Sequence, residues 1–590
     1  MRVAFWTVLT SVSMAVMLPA AAQAMSSPDS AVDVLADEYW AGVMRASPIY
    51  ASSVGVRSYE GQVGDHSLAA NDRRAEVAKK LLVRLDAIDP ASLTASGRVN
   101  RGILMRTLRE DVEENGFGQR TINFTNRSGW HQDFADMANY LPFKTKADFE
   151  SYNARLKQFG RVNDQSIAVA DQAIAGGYTL PCDSLGGYEG GITGLIVGDP
   201  RQARFYSPYA GKRAEGVAEE DWKKLSDEAA TIISDTIYPA LRKQASWYID
   251  RYKPRCAVNP GVSAQPGGAA YYDFRIRKMT TTELSAEQIH QIGLEEVARI
   301  RAEMEAVAAK AGYPTREAFI THLRTDPQYY AKTPEELMEK VARVTKTIDG
   351  KMPGLFHKLA RLPYGLREIP AETAEGQTTA YYGPGSPEIG IAGTYYVNTS
   401  LLDQRPLWEI PALSVHEAVP GHHHQIALQQ ELPLPDFRKY GAFFTAFVEG
   451  WGLYSERLGI EMGLYDTPAK DMGRLSYEMW RACRLVVDTG IHAKGWSKAQ
   501  AIAFMTDNSA LSAANIEAEV NRYISWPGQA LAYKLGELKI RELRGLAEKQ
   551  LGARFDLAAF HDTVLGQGAV PLDVLDAQVK EWIAAEAAKG

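Results

Sequence analysis

The chain has 590 residues, 45% apolar and 23% charged, with a net charge of −7. That balance is ordinary for a folded globular protein and excludes a disordered chain. The basic residues form no block, so nucleic acid is not expected as a partner.

Residues 1–24 read as a signal peptide. Arg2 gives a positive start, Val3 to Leu18 is largely apolar, and Ala22-Gln23-Ala24 is a small-x-small cleavage site. Cleavage near Ala24 would place the mature chain, 25–590, in the periplasm or outside the cell. No cysteine follows the apolar run, which argues against a lipid anchor. No later segment reaches roughly 18 uncharged apolar residues, so no membrane insertion of the mature chain is expected.

Most of the mature chain reads as helix, in one large body. Val32 to Met44 is periodic and Pro48 ends it; Asp72 to Ile88 follows, closed by Pro90. Gly176 to Gly198 and Asn259 to Ala270 are Gly-rich and read as loops, either cleft lining or plain surface connection. Ser285-Ala286-Glu287-Gln288 is a capping box opening a helix to about Ala309, and Thr333-Pro334-Glu335-Glu336 opens another to about Asp349. Gly393 to Thr399 is rich in β-formers and reads as a strand. Leu535 to Gln550 and Pro571 to Ala588 are helical again. The three cysteines are too few for a disulfide framework. Cys182 and Cys256 lie in loop sequence and can pair in an oxidising compartment. Cys483, in an apolar-periodic run, reads as a buried thiol.

The densest chemistry is His416-Glu417-Ala418-Val419-Pro420-Gly421-His422-His423-His424. It holds four of the chain's eleven histidines. Neutral imidazoles hold a metal, and a neighbouring carboxylate can take a proton from water. The short helical form of such a motif is H-E-x-x-H, but the position four after His416 is Pro420. Leu413 to Gln430 therefore reads as one helix with a fault. Proline removes a backbone donor and glycine lets the chain recover. A bulge or loosened turn there brings His422 to the second ligand position, with His423 as its geometric rival.

A third protein ligand is needed, with one position left open. Glu449 is a glutamate in the apolar run Phe443 to Glu456, where an unpaired carboxylate is costly. Glu456, seven residues on, can accept a proton from a ligand histidine. Farther along, Asp488 and His492 stand at i,i+4, and Arg522, Tyr523 and Tyr533 follow. His492 held by Asp488, Tyr523 or Tyr533 can each stabilise an oxyanion. Arg522 can receive a substrate carboxylate through its planar fork.

HEAVPGHHHQ, VEGWGLYSE, RYISWPGQALAYKLG and the terminal LGQGAVPLDVL together resemble the bacterial DUF-885 family, over most of the mature chain. That family is similar to the zincin-like peptidases and to helical oligopeptidases of the carboxypeptidase type. The resemblance implies a mainly α, zincin-like metallopeptidase fold with a deep cleft and a small β-sheet beside the zinc helix. Residues 380–540 would form the metal-site core. It implies Zn2+ held by His416, His422 and Glu449, with Glu417 as base. It also implies that Gly393 to Thr399 is an edge strand, so that Gly393, Tyr395 and Tyr396 meet an extended peptide.

The expected function is zinc-dependent hydrolysis of peptide bonds in short peptides. Two alternatives stand beside it. One is a zinc amidohydrolase acting on a modified or non-peptide amide. The other is a non-catalytic periplasmic binding or metal-sequestering protein. A serine hydrolase is not expected, because no G-x-S-x-G elbow occurs. The sequence carries no signal for an oligomeric state.

Overall fold

The computed structural model describes residues 27–126, 128–374 and 377–589. The leader expected at 1–24 lies outside them. Capped, apolar-striped segments make the described chain mainly α-helical. Helix α1 (Ser30–Ala46) buries Val32, Leu35, Trp40 and Met44 at helical spacing. Helix α2 (Leu68–Asp86) is capped by Ser67, whose side chain accepts from Ala70 N–H, and α3 (Ala95–Asn115) by Thr94 in the same way. The Ser285 capping box forms and opens α4 (Ala286–Lys310). Thr333 caps α5 (Pro334–Asp349).

The next helices carry the chemistry. They are α6 (Ile410–Glu417), α7 (His422–Glu431), α8 (Thr445–Leu458) and α9 (Pro468–Lys494). Behind them run α10 (Ala513–Ser525), α11 (Ala532–Leu551) and α12 (Leu572–Ala588). One core joins α1–α3 to α8, α11 and α12 through Leu81, Leu104, Phe447, Trp451, Ile540 and Val579. A second joins α4, α9 and α10 through Ile300, Met479, Val487 and Val520. Helix α6 is the seam: Val415 packs into the first core, Ala412 and Leu413 into the second. Its His416 is thus held from two sides. Helices α8 and α11 cross backbone to backbone at a pair of glycines. A Cβ on Gly450 would lie 2.5 Å from Gly536 Cα.

A small sheet lies beside α6. Its strands are β1 (Tyr364–Glu368), β2 (Ala380–Gly383) and β3 (Gly393–Val397), in the order β1-β3-β2. Strand β3 runs parallel to β1 and antiparallel to β2. The expected edge strand is therefore the central one. Tyr395 and Tyr396 are already paired on both sides and Gly393 on its β1 side, Tyr395 is buried, and Tyr396 stacks on Tyr381 at 4.7 Å. No peptide can add there. The strand also stops at Val397, because Asn398 turns its side chain onto the carbonyls of Ala374 and Thr378.

The two Gly-rich stretches are not wholly irregular. The first begins in the last turn of helix Phe159–Gly176 and contains the short helix Tyr188–Thr193; the second leads into helix Gly268–Thr280. Cys182 in the first stretch and Cys256, three residues before the second, form a disulfide, with Cα atoms 5.1 Å apart. Backbone bonds flank it: Cys182 N–H donates to Ala257 O at 3.0 Å and Ala257 N–H to Leu180 O at 2.9 Å. Cys483 is a buried free thiol in α9. Among the described residues no helix is long and apolar enough to cross a membrane.

Candidate metal centre

The HEAVPGH segment is a complete break between two helices, more than the bulge the sequence suggests. Helix α6 stops at Glu417 and α7 starts at His422. Pro420 has no N–H to continue the ladder. The turn closes instead through Gly421 N–H to Val415 O at 2.9 Å and His423 N–H to Ala418 O at 3.0 Å. Only glycine fits at 421, since a Cβ would overlap the carbonyl oxygens of Val415 and His416. From α8, Trp451 Nε1–H donates to Pro420 O at 2.8 Å and pins the turn.

This turn sets the His416 and His422 rings face to edge, with centroids 4.6 Å apart. Helix α8 adds Glu449, whose Oε2 lies 3.7 Å from His416 Nε2 and 3.3 Å from His422 Nε2. One ligand atom from each of the three residues lies within 4.8 Å of the others. Gly452, one turn beyond Glu449, leaves room for the imidazole; its Cβ would stand 2.7 Å from His416 Cε1.

The residues fit a metal ion. Two imidazoles and one carboxylate are a donor set that catalytic zinc uses, with a fourth position open. Glu449 Oε2 is buried and accepts no hydrogen bond, a costly state for a carboxylate oxygen. Burial by itself would raise the Glu449 pKa, but the two histidines hold it well below the ordinary value. Burial would likewise lower the His416 pKa, yet Glu449 and Glu456 lift it to about 9. Both shifts are those of a site that favours positive charge.

Glu456 orients the His416 ring. His416 Nδ1–H donates to Glu456 Oε1 at 2.8 Å, which turns the Nε2 lone pair toward the cluster. Arg481 Nη2 holds the same oxygen at 3.0 Å. Glu456→Gln should weaken metal binding about 10–100-fold while the protein stays folded, measured by competition with a chelator of known affinity. An unchanged affinity would make Glu456 a packing residue only.

Glu417 follows His416 directly and lines the cavity beside the cluster. Among the described residues no hydrogen bond or ion pair holds its carboxylate. His423 is committed elsewhere: Nε2–H donates to Leu362 O at 2.8 Å and Nδ1 accepts from Tyr382 at 3.0 Å. It is no rival to His422. His424 packs against Phe356, with centroids 4.5 Å apart.

The cavity measures about 1050 Å³. The cluster, the Gly-rich loops at Leu180–Pro181 and Asn259–Val262, and β2 residues Ala380–Tyr382 all border it. A second cavity of about 1020 Å³ adjoins it and shares the walls at Ile426, Phe443 and Val448.

Three expected residues are not brought to this space. His492 is fully buried, and remote backbone uses both its nitrogens: Val262 N–H donates to Nδ1 at 3.0 Å, and Nε2–H donates to Tyr523 O at 2.9 Å. Asp488 does not hold it. That carboxylate accepts from Tyr272 at 2.6 Å and from Gly528 N–H at 3.2 Å, and burial raises its pKa to about 7. The Tyr523 hydroxyl stands behind the wall, accepting from Trp480 Nε1–H and Arg484 Nε–H, each at 2.9 Å. Tyr533 and Arg522 do line the cavity. The Tyr533 ring lies parallel to His416 at 6.4 Å, and its oxygen accepts from Arg522 Nη2 at 2.9 Å. Arg481, Arg484 and Tyr382 also line it and went unread in the sequence. The signal for the arginines was present: two charges three residues apart in the apolar run WRACRLVV ask the same question as Glu449.

Fold and site together define a mainly α protein with a His/His/Glu cluster able to chelate a metal at the wall of a cavity. The chain belongs to the family described as "Bacterial protein of unknown function (DUF885)", whose model matches residues 48–579. Among solved structures, a candidate lipoprotein from Colwellia psychrerythraea is 30% identical, with a TM-score of 0.86 over 95% of this chain and 100% of that one. A candidate lipoprotein of unknown function from Shewanella oneidensis is 20% identical, with a TM-score of 0.67 over 92% of this chain and 99% of that one, a likeness of fold alone. No curated protein matches.

Proposed function

We propose that the protein is a zinc-dependent hydrolase of peptide bonds in short peptides, acting outside the cytoplasm. The observation that carries this is Glu417, a carboxylate next to ligand His416, facing the cavity and held by no protein donor among the described residues. A zinc ion held by His416, His422 and Glu449 would polarise a carbonyl oxygen and acidify a water. Glu417 takes the proton of the attacking water and delivers it to the leaving amine. Tyr533 accepts a hydrogen bond from Arg522, so its own proton is left to donate to the oxygen that gains charge. The outer strand β2, whose Ala380 and Tyr381 border the cavity, replaces β3 as the strand an extended peptide can pair with.

The Cys182–Cys256 disulfide supports an exported chain. The solved relative from Colwellia psychrerythraea carries the description lipoprotein.

A second reading keeps the metal and drops the chemistry. A binding or metal-sequestering protein needs the His/His/Glu cluster and nothing more, and that cluster is the feature the structure displays most directly. A zinc amidohydrolase working on a modified amide would use the same groups. Incubation of the mature protein with unblocked, blocked and D-residue peptides, read by mass spectrometry, separates the three. Cleavage of ordinary peptides that a chelator stops and zinc restores is the expected result. Stoichiometric metal with no cleavage in any arm would leave the binding reading.

A further inference from the structure

Three arginines close one side of the cavity, and their donors outnumber their partners. Arg484 gives Nη2 to Glu519 at 2.7 Å and Nε to Tyr523 at 2.9 Å, but its buried Nη1 has no hydrogen-bond partner. Arg481 gives Nη2 to Glu456 and Nη1 to Tyr477 O at 3.3 Å, and its buried Nε is likewise without one. Arg522 reaches the same Glu519 at 3.5 Å and bonds Tyr533 and Gln529. Three guanidinium groups thus share Glu519 and Glu456, and Glu456 also serves His416. Buried charge without a full set of partners is expensive, and all three groups border open space.

The groups are also held rigid. Arg484 lies between Trp480 and Tyr533, 4.5 and 4.2 Å from the ring centroids, and Arg481 lies 4.2 Å from Trp480. Stacked guanidinium forks are suited to a planar carboxylate and lose little freedom on binding it.

We infer that Arg481, Arg484 and Arg522 form a carboxylate-binding corner that holds the free C-terminus of the substrate. This rests on the hydrolase reading for its consequence and not for the binding itself. Tyr533 sets the distance. Its ring is 6.4 Å from His416 and 4.2 Å from the Arg484 guanidinium carbon. Those two steps span no more than about three extended residues at roughly 3.3–3.6 Å each. A carboxylate in the corner therefore places the cleaved bond within the last three residues, so the product released is a single amino acid, a dipeptide or a tripeptide.

The test uses zinc-loaded protein and three short N-acetylated peptides of neutral sequence. One ends in a free acid, one in an amide, and one in glutamate α-amide. Calorimetry on Glu417→Gln reads binding, and mass spectrometry on the wild type reads cleavage. The acid should bind about 10–100-fold more tightly than the plain amide, the range for hydrogen bonds to a charged group. Arg484→Gln and Arg522→Gln should each bring that ratio close to unity. Arg522, whose side chain is 20% exposed, is the second variant should Arg484→Gln not fold. Equal binding and equal cleavage of acid and amide would overturn the corner and leave hydrolysis standing. Acid-selective binding without any cleavage would remove hydrolysis and leave the corner. A gain for the glutamate amide equal to that for the free acid would assign the corner to an acidic side chain and overturn the terminus.

Discussion

Replacing Glu417 with glutamine should lower peptide hydrolysis about 10²–10⁴-fold and leave the metal content at the wild-type level. The exchange keeps size and shape and removes basicity. It should cost little stability, because no protein group among the described residues is bonded to this carboxylate. The adjacent ligand is unaffected, since His416 is oriented by Glu456 across the helix pair and not by Glu417. Steady-state rates and metal analysis on the same preparation give the answer together. A rate near that of the wild type would remove Glu417 as the base. Loss of metal would make it a ligand.

Replacing His416 or Glu449 with alanine should empty the site. The cluster offers three ligand atoms within 4.8 Å of each other, one each from α6, α7 and α8, so removing one leaves two. Metal binding should fall by more than about 100-fold, beyond the range of an outer-shell change, and turnover should fall to background. His423→Ala is the control. Its nitrogens serve Leu362 and Tyr382, so one equivalent of metal should stay. Retained metal in the His416 and Glu449 variants, or its loss with His423→Ala, would redraw the ligand set.

Local signals are the ones a single sequence carries well. Ser285 and Gln288 form the expected box, and Thr333 caps its helix, because each cap is made by residues a few positions apart. Glu449 is legible because an isolated carboxylate in an apolar helix needs a partner wherever it lies. Tertiary placement is where the reading fails. Gly393–Val397 is recognisable as a strand, yet its central position depends on β1 and β2, short segments with little β signal of their own. Pro420-Gly421 announces a fault, but its depth is set by Trp451 on another helix. The i,i+4 spacing of Asp488 and His492 suggests a pair; backbone from Val262 and Tyr523, hundreds and tens of residues away, claims the imidazole instead.

The Cys182–Cys256 bond has a practical consequence at the bench. It joins segments 74 residues apart and sits beside two stretches of cavity wall, Leu180–Pro181 and Asn259–Val262. In the chain-entropy picture such a cross-link is worth about 4 kcal/mol. Dithiothreitol would act on this protein twice, opening the bond and competing for a bound metal through its own thiolates. Activity lost in a reducing buffer would mix the two effects. EDTA removes metal and spares the cross-link, so it is the cleaner probe. Purification without thiols, from a compartment that oxidises cysteine, is the preparation in which a missing activity would carry meaning.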